Sequence, residues 1–117
     1  MMEYADARTV ARMFAALGEP TRLQVASLLL AGPLNVGELA KLVDIPMVNM
    51  SHHLGVMRQA GLLEDEKQGR RVVYRFREGV LTPGDGDGVL GTLVFGPFRV
   101  VVVARPTAPK AKRKPGG

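Results

Sequence analysis

Residues 35–76 read NVGELAKLVDIPMVNMSHHLGVMRQAGLLEDEKQGRRVVYRF, and their order leaves few folds open. Asn35, with Glu38 three residues on, has the form of a capping box at a helix start. Val36, Leu39, Ala40 and Val43 follow at the spacing of one buried helical stripe. Asp44-Ile45-Pro46 makes a turn, and a second helix is predicted from about Met47 to Ala60, with Gly61 as its stop. Met50, Leu54 and Met57 define the inner face of that helix. At about 100° per residue, Val48, His52 and Gly55 lie opposite, with Ser51 to one side. Leu62–Gln68 and Val72–Arg77 then alternate as two strands joined at Gly69-Arg70-Arg71.

Two helices across a short turn, followed by a ribbon with a cationic tip, describe a helix-turn-helix with a wing. That arrangement puts one helix in a DNA major groove and the basic loop against the flanking backbone. Upstream, a helix is expected over about Ala5–Leu17, with Val10, Met13, Phe14 and Leu17 on one face and Gly18 after it. Another begins at Pro20, suited to a first turn, and ends at Gly32-Pro33. Its residues Leu23, Val25, Ala26, Leu28, Leu29 and Leu30 are apolar nearly all round, which predicts the central, most buried element.

Beyond the wing the chain changes character. LTPGDGDG at 81–88 reads as a linker of turn residues. Thr92–Phe95 and Arg99–Val103 can form a further hairpin around Gly96-Pro97. PTAPKAKRKPGG, from Pro106, has no apolar period and is expected to be disordered. The resulting division is a winged helix-turn-helix domain over 1–83, a Gly-rich linker with a β-hairpin over 84–104, and a basic tail over 105–117. The fold class is mostly α with a small antiparallel β wing (α+β).

Composition narrows the chemistry. With 117 residues, a single domain is expected, and with aromatics at 5% its core must be aliphatic. The absence of cysteine excludes disulfides, zinc knuckles and thiol chemistry. His52 and His53 diverge by about 100° on a helix and do not make a metal site, and His53 leans inward as a packed or capping residue. Asp85 and Asp87 lack the later carboxylate of a calcium loop. No Ser/His/Asp constellation or phosphate loop is present, so neither an enzyme nor a bound cofactor is expected. The formal charge of +5 is concentrated in the tail, at Lys110, Lys112, Arg113 and Lys114. Residues 1–83 are nearly balanced, so any nucleic-acid contact by the folded part must come from local clusters. The run Val89–Ala104 is too short and too interrupted to span a membrane. The N-terminus has no signal-peptide pattern, and a cytoplasmic location is the expectation.

GEPTRLQVASLLL, VGELAKLVDIP, MSHHLGVMRQAGLL and GRRVVYRF together resemble the ArsR/SmtB family of winged-helix repressors over roughly residues 8–77. The resemblance implies a homodimer that binds a palindromic operator in double-stranded DNA and represses transcription until a ligand, often a metal ion, releases it. This chain departs from the metal sensors. Val36 and Gly37 stand where those sensors place cysteines, and the residues after Glu78 are not those of the usual C-terminal dimerisation helix. Sensing by either known metal route is therefore not expected, and the inducer stays open. Asp44 and Pro46 replace the usual Gly and Ser/Thr of the turn. Asp tolerates a left-handed backbone, but the missing hydroxyl cap should weaken the next helix by about 1 kcal/mol unless Asp44 substitutes for it.

The base-facing candidates are Val48, Asn49, Ser51 and His52: Asn can bond adenine through two groups, and Val can pack on a thymine methyl. His52 and Gly55 stand where relatives are often basic, so this helix is poor in charge. The phosphate or wing candidates are Lys67, Arg70, Arg71 and Arg58, with Arg75 and the tail lysines of second rank. By resemblance the first helix joins the dimer. Leu93, Phe95, Val100 and Val102 either supply apolar area to that interface or fold back on their own domain. The competing reading is a winged-helix protein-interaction module without sequence-specific DNA binding.

Overall fold

The computed structural model describes residues 1–105. The tail lysines and the whole segment predicted to be disordered, from Pro106 onward, lie outside that range. The elements run α1 (Tyr4–Leu17), α2 (Pro20–Leu29), β1 (Leu34–Asn35), α3 (Val36–Val43), α4 (Met47–Gln59), β2 (Leu63–Gln68) and β3 (Arg71–Phe76). They continue with β4 (Leu81–Pro83), β5 (Val89–Phe95) and β6 (Phe98–Val103). Two antiparallel three-stranded sheets result, ordered β1-β3-β2 and β4-β5-β6.

Local chemistry accounts for the helix ends. Glu19 caps α2 by accepting the Arg22 N–H at 2.9 Å, just before Pro20. The box at α3 is complete: Asn35 Oδ1 accepts from Glu38 N at 2.8 Å, and Asn35 N donates to Glu38 Oε1 at 2.9 Å. Such a cap stabilises a helix start by about 1 kcal/mol. Asp44 ends α3 in the left-handed region, at φ 64°. It does not replace the missing hydroxyl: α4 starts at Pro46 with no side-chain cap.

α4 is the centre of packing. Met50, Leu54 and Met57 are fully buried, as their spacing predicts, and each such side chain contributes roughly 1.5–3 kcal/mol on leaving water. They share one core with Val25 and Leu29 of α2, Leu39 of α3, and Tyr74 and Phe76 of β3. α2 is less enclosed than its composition predicts. Only Val25, Ala26 and Leu29 are buried, and Leu23 is half exposed, because one side of the helix faces the overhanging C-terminal sheet across an apolar groove.

The region after the wing departs from the predicted linker. Leu81–Pro83 is a strand, paired with Gly91–Leu93 of β5. Leu81–Pro83 thus joins β5 and β6, and the strands form a three-stranded sheet in place of a simple hairpin. Leu93 and Phe95 join the same core as α4, and Phe95 meets Phe14 of α1 edge-on with ring centroids 4.8 Å apart. Of the two alternatives for this segment, these two side chains take the fold-back. Gly91 permits the close approach: a Cβ there would lie 2.9 Å from Leu81 Cδ1 and 3.1 Å from Leu30 Cδ2.

Candidate nucleic-acid interface

An open cleft runs between the start of α3, the first turns of α4 and the tip of the β2–β3 ribbon. Asn35, Val36, Glu38, Lys41, Met47, Ser51, Arg70, Arg71 and Val72 line it. The ribbon turns tightly at Gly69, which takes a φ of 63°, so that Gln68 pairs with Arg71 and Arg70 projects from the bend. α4 is held by its buried inner stripe, and that anchoring turns Val48, Asn49, Ser51 and His52 outward; all four are exposed. Val48 retains 79% of its accessible surface, the largest share on α4 among the exposed hydrophobics.

The predicted site residues are not all gathered in one place. Ser51, Arg70 and Arg71 share the cleft. Val48, Asn49 and His52 stand beside it on the exposed surface of the same helix. Arg58 is also exposed but lies about two turns, or roughly 10 Å, beyond Ser51 along α4, outside the cleft. Lys67 pairs with Val72 across the ribbon and extends the Tyr74-bearing face toward the tip. Arg75 is taken up within the ribbon. It donates to Glu64 Oε2 and Glu66 Oε1, each at 3.0 Å, and Glu66 first and Glu64 second hold its guanidinium above the ordinary arginine range. Both bonds tie Arg75 to the carboxylates of β2.

Lys41 was missed. It is exposed on α3 and lines the cleft facing Arg70 and Arg71, giving three cations around one opening. Its only sequence signal is a place one turn after the Asn35–Glu38 box, on the solvent side of the helix. A phosphate contact from that position needs the wing brought alongside, which no local pattern reveals.

Behind α4 a polar clasp fixes the helix to the α1–α2 junction. Arg22 donates from Nε to the Ala16 carbonyl at 2.6 Å, and its Nη1 lies 3.3 Å from His53 Nδ1. Glu19 stands 3.8 Å from the same His53 nitrogen. Its carboxyl is held below the usual range, first by the Arg22 backbone N–H and then by charge from His53. His53 is thus a half-buried, hydrogen-bonded residue, while His52 is exposed, its ring meeting that of His53 edge-on with centroids 6.0 Å apart. Among the described residues no cluster of His, Asp and Glu could hold a metal ion, and no helix is long and apolar enough to cross a membrane.

Residues 7–66 match the family described as a helix-turn-helix domain. The chain is 36% identical over 72 residues to the biofilm growth-associated repressor of Agrobacterium fabrum, covering 62% of each protein. It is 32% identical over 69 residues to the transcriptional repressor SdpR of Bacillus subtilis, covering 59% of this chain and 77% of that one. The match thus spans less than two thirds of the Agrobacterium relative. Among solved structures, the homodimeric winged helix-turn-helix DNA-binding domain of a candidate ArsR-family regulator from Mycobacterium bovis superposes with a TM-score of 0.61 at 32% identity. That superposition covers 62% of this chain and 68% of that one. The shared segment contains the capped α3, the outward α4 and most of β2. The chain belongs to the ArsR/SmtB family of winged helix-turn-helix transcriptional repressors, and it carries none of the cysteines through which that family usually binds metal.

Proposed function

We propose that the protein is a sequence-specific, DNA-binding transcriptional repressor that acts in the cytoplasm as a homodimer on a palindromic operator. The observation that carries the reading is the pairing of an exposed α4 surface with a three-cation cleft. Val48, Asn49, Ser51 and His52 face outward, and Lys41, Arg70 and Arg71 stand beside them. Base edges would meet the helix, and phosphates would meet the cations, which supply most of the affinity. Two copies double the contacts and set the recognition helices about 34 Å apart. The Mycobacterium bovis domain is homodimeric, which favours the same state here. The family consists of regulators and not enzymes, and the inducing signal is not metal at the usual cysteines.

A gel-shift titration against the upstream region of the protein's own gene tests this. A saturable shift that weakens steeply with salt is expected. No shift at any salt would favour the second reading, a protein-interaction module. That reading has its own support in Met47 and Val48, which leave an apolar spot at the tip of α4, 56% and 79% exposed.

A further inference from the structure

We infer that two copies of this chain join edge to edge through β6, making one continuous six-stranded sheet in place of the family's helical C-terminal contact. The inference rests on the homodimer reading above and specifies the surface that forms it.

β6 is the outer strand of its sheet, and among the described residues nothing pairs with its far edge. Edge strands are normally blunted by charges, proline or bulges, because their free N–H and C=O groups recruit other strands. β6 reads FRVVVV, with Arg99 as its one charge, and its bulge lies on β5 at the side away from this edge. Phe98, Val101 and Val103 are each half exposed or more.

The backbone specifies the register. Phe95 and Phe98 close a two-residue turn, so they form a hydrogen-bonded pair, and bonding then alternates along the ladder. Val94 N donates outward to Val80 O at 2.7 Å, and Ala104 N donates inward to Gly88 O at 2.8 Å, both as this alternation requires. The N–H and C=O groups of Arg99, Val101 and Val103 therefore point to the free edge. An antiparallel pairing of two β6 strands about Val101 uses all of them. It sets Val101 against its own copy and Arg99 against Val103, so that no two arginines oppose each other. A two-fold axis through Val101, perpendicular to the sheet, generates this contact and closes it as a dimer.

The same axis keeps the inner faces of both sheets on one side. Phe98, which meets Phe14 of α1 at 5.8 Å, and the half-exposed Leu23 of α2 border the half-buried inner face of β6 on that side. The partner's β6 lies against this apolar rim, adding side-chain burial to the strand pairing.

Hydrogen exchange on the full chain, with sedimentation velocity across a dilution series, tests the inference. The Arg99 and Val101 amides should be protected about a hundredfold or more in the dimer and lose that protection on dilution. Val101→Pro removes an outward N–H without touching the bonds to β5, a placement edge strands accept. It should raise the dimer dissociation constant about tenfold or more. A dimer whose Val101 amide exchanges freely, or a proline variant that dimerises undiminished, overturns the β6 interface and leaves the DNA reading intact. Loss of dimer in the variant, with no DNA shift by the native chain, upholds the interface and sinks the repressor reading. A native chain that stays monomeric at every concentration overturns the interface outright. If the proline variant fails to fold, the exchange of the native chain decides alone.

Discussion

The molecule contains two antiparallel ribbons built on opposite principles. The wing, β2–β3, carries LEDEKQ on its outer strand: four charges in a row, two of them tied to Arg75 across the ladder. Its base is buried at Leu63 and Phe76, and its tip is exposed and cationic. The C-terminal ribbon, β5–β6, is the reverse. It buries Leu93 and Phe95 near its turn, and its outer strand is a run of valines with one arginine. A charged edge repels other strands and leaves the ribbon's outer side unpaired. An uncharged edge invites pairing. Two hairpins of similar length therefore present different outer edges, and the charge along the outer strand separates them.

The largest effect that could break this contrast is on stability. Phe95→Ala should cost about 3–5 kcal/mol in chemical denaturation, because the ring fills the core against α1. A loss below about 1 kcal/mol would mean that the C-terminal ribbon is an appendage, not part of the core. At the wing the effect should fall on binding. Arg70→Ala with Arg71→Ala should weaken DNA binding at least about tenfold and lower the salt slope by about 2, while stability stays within about 0.5 kcal/mol. Unchanged binding would remove the wing from the interface.

A smaller effect separates the cleft's scaffold from its cations. Asn35→Ala opens the capping box and should cost about 1 kcal/mol by thermal unfolding. Adding a cap where none exists, by Pro46→Ser, should change stability by less than that, since the new bond is offset by a looser unfolded chain. The smallest effect is in acid. The Glu19 carboxyl is depressed in the folded state, so its contribution is present above the unfolded value and is lost as pH falls through the folded one. Glu19→Gln should therefore flatten the stability profile below about pH 4.5 and leave it unchanged in shape near neutrality. An unaltered acid limb would show that the α1–α2 clasp is not held by this charge.

Much of the winged helix was legible because its signals are local. The Asn35–Glu38 box lies within one turn, the Met50–Leu54–Met57 stripe within one helix, and Gly69 marks the ribbon's bend directly. The left-handed Asp44 was readable for the same reason. β4 was not, because Leu81–Pro83 sits among turn residues and becomes a strand only through its pairing with Gly91–Leu93. Leu23 reads as core because α2 is apolar nearly all round, yet periodicity cannot say which neighbour is missing. Lys41 escaped notice because its relevance depends on a wing thirty residues away.

Within the first eighty residues, the spacing of apolar side chains and the placing of caps and glycines by themselves determined which segments coil, where they stop and which side of α4 turns inward. Those are interactions over a few residues, and the chain encodes them in order. Tertiary structure alone decided that Lys41 meets Arg70 and Arg71 across one opening, that Arg75 is spent inside the wing, and that Phe95 is sealed while Val101 stays at an open edge. Each of these depends on which surface a distant segment covers, and burial of apolar area against a specific partner is a property of the packed molecule, not of any stretch of its sequence.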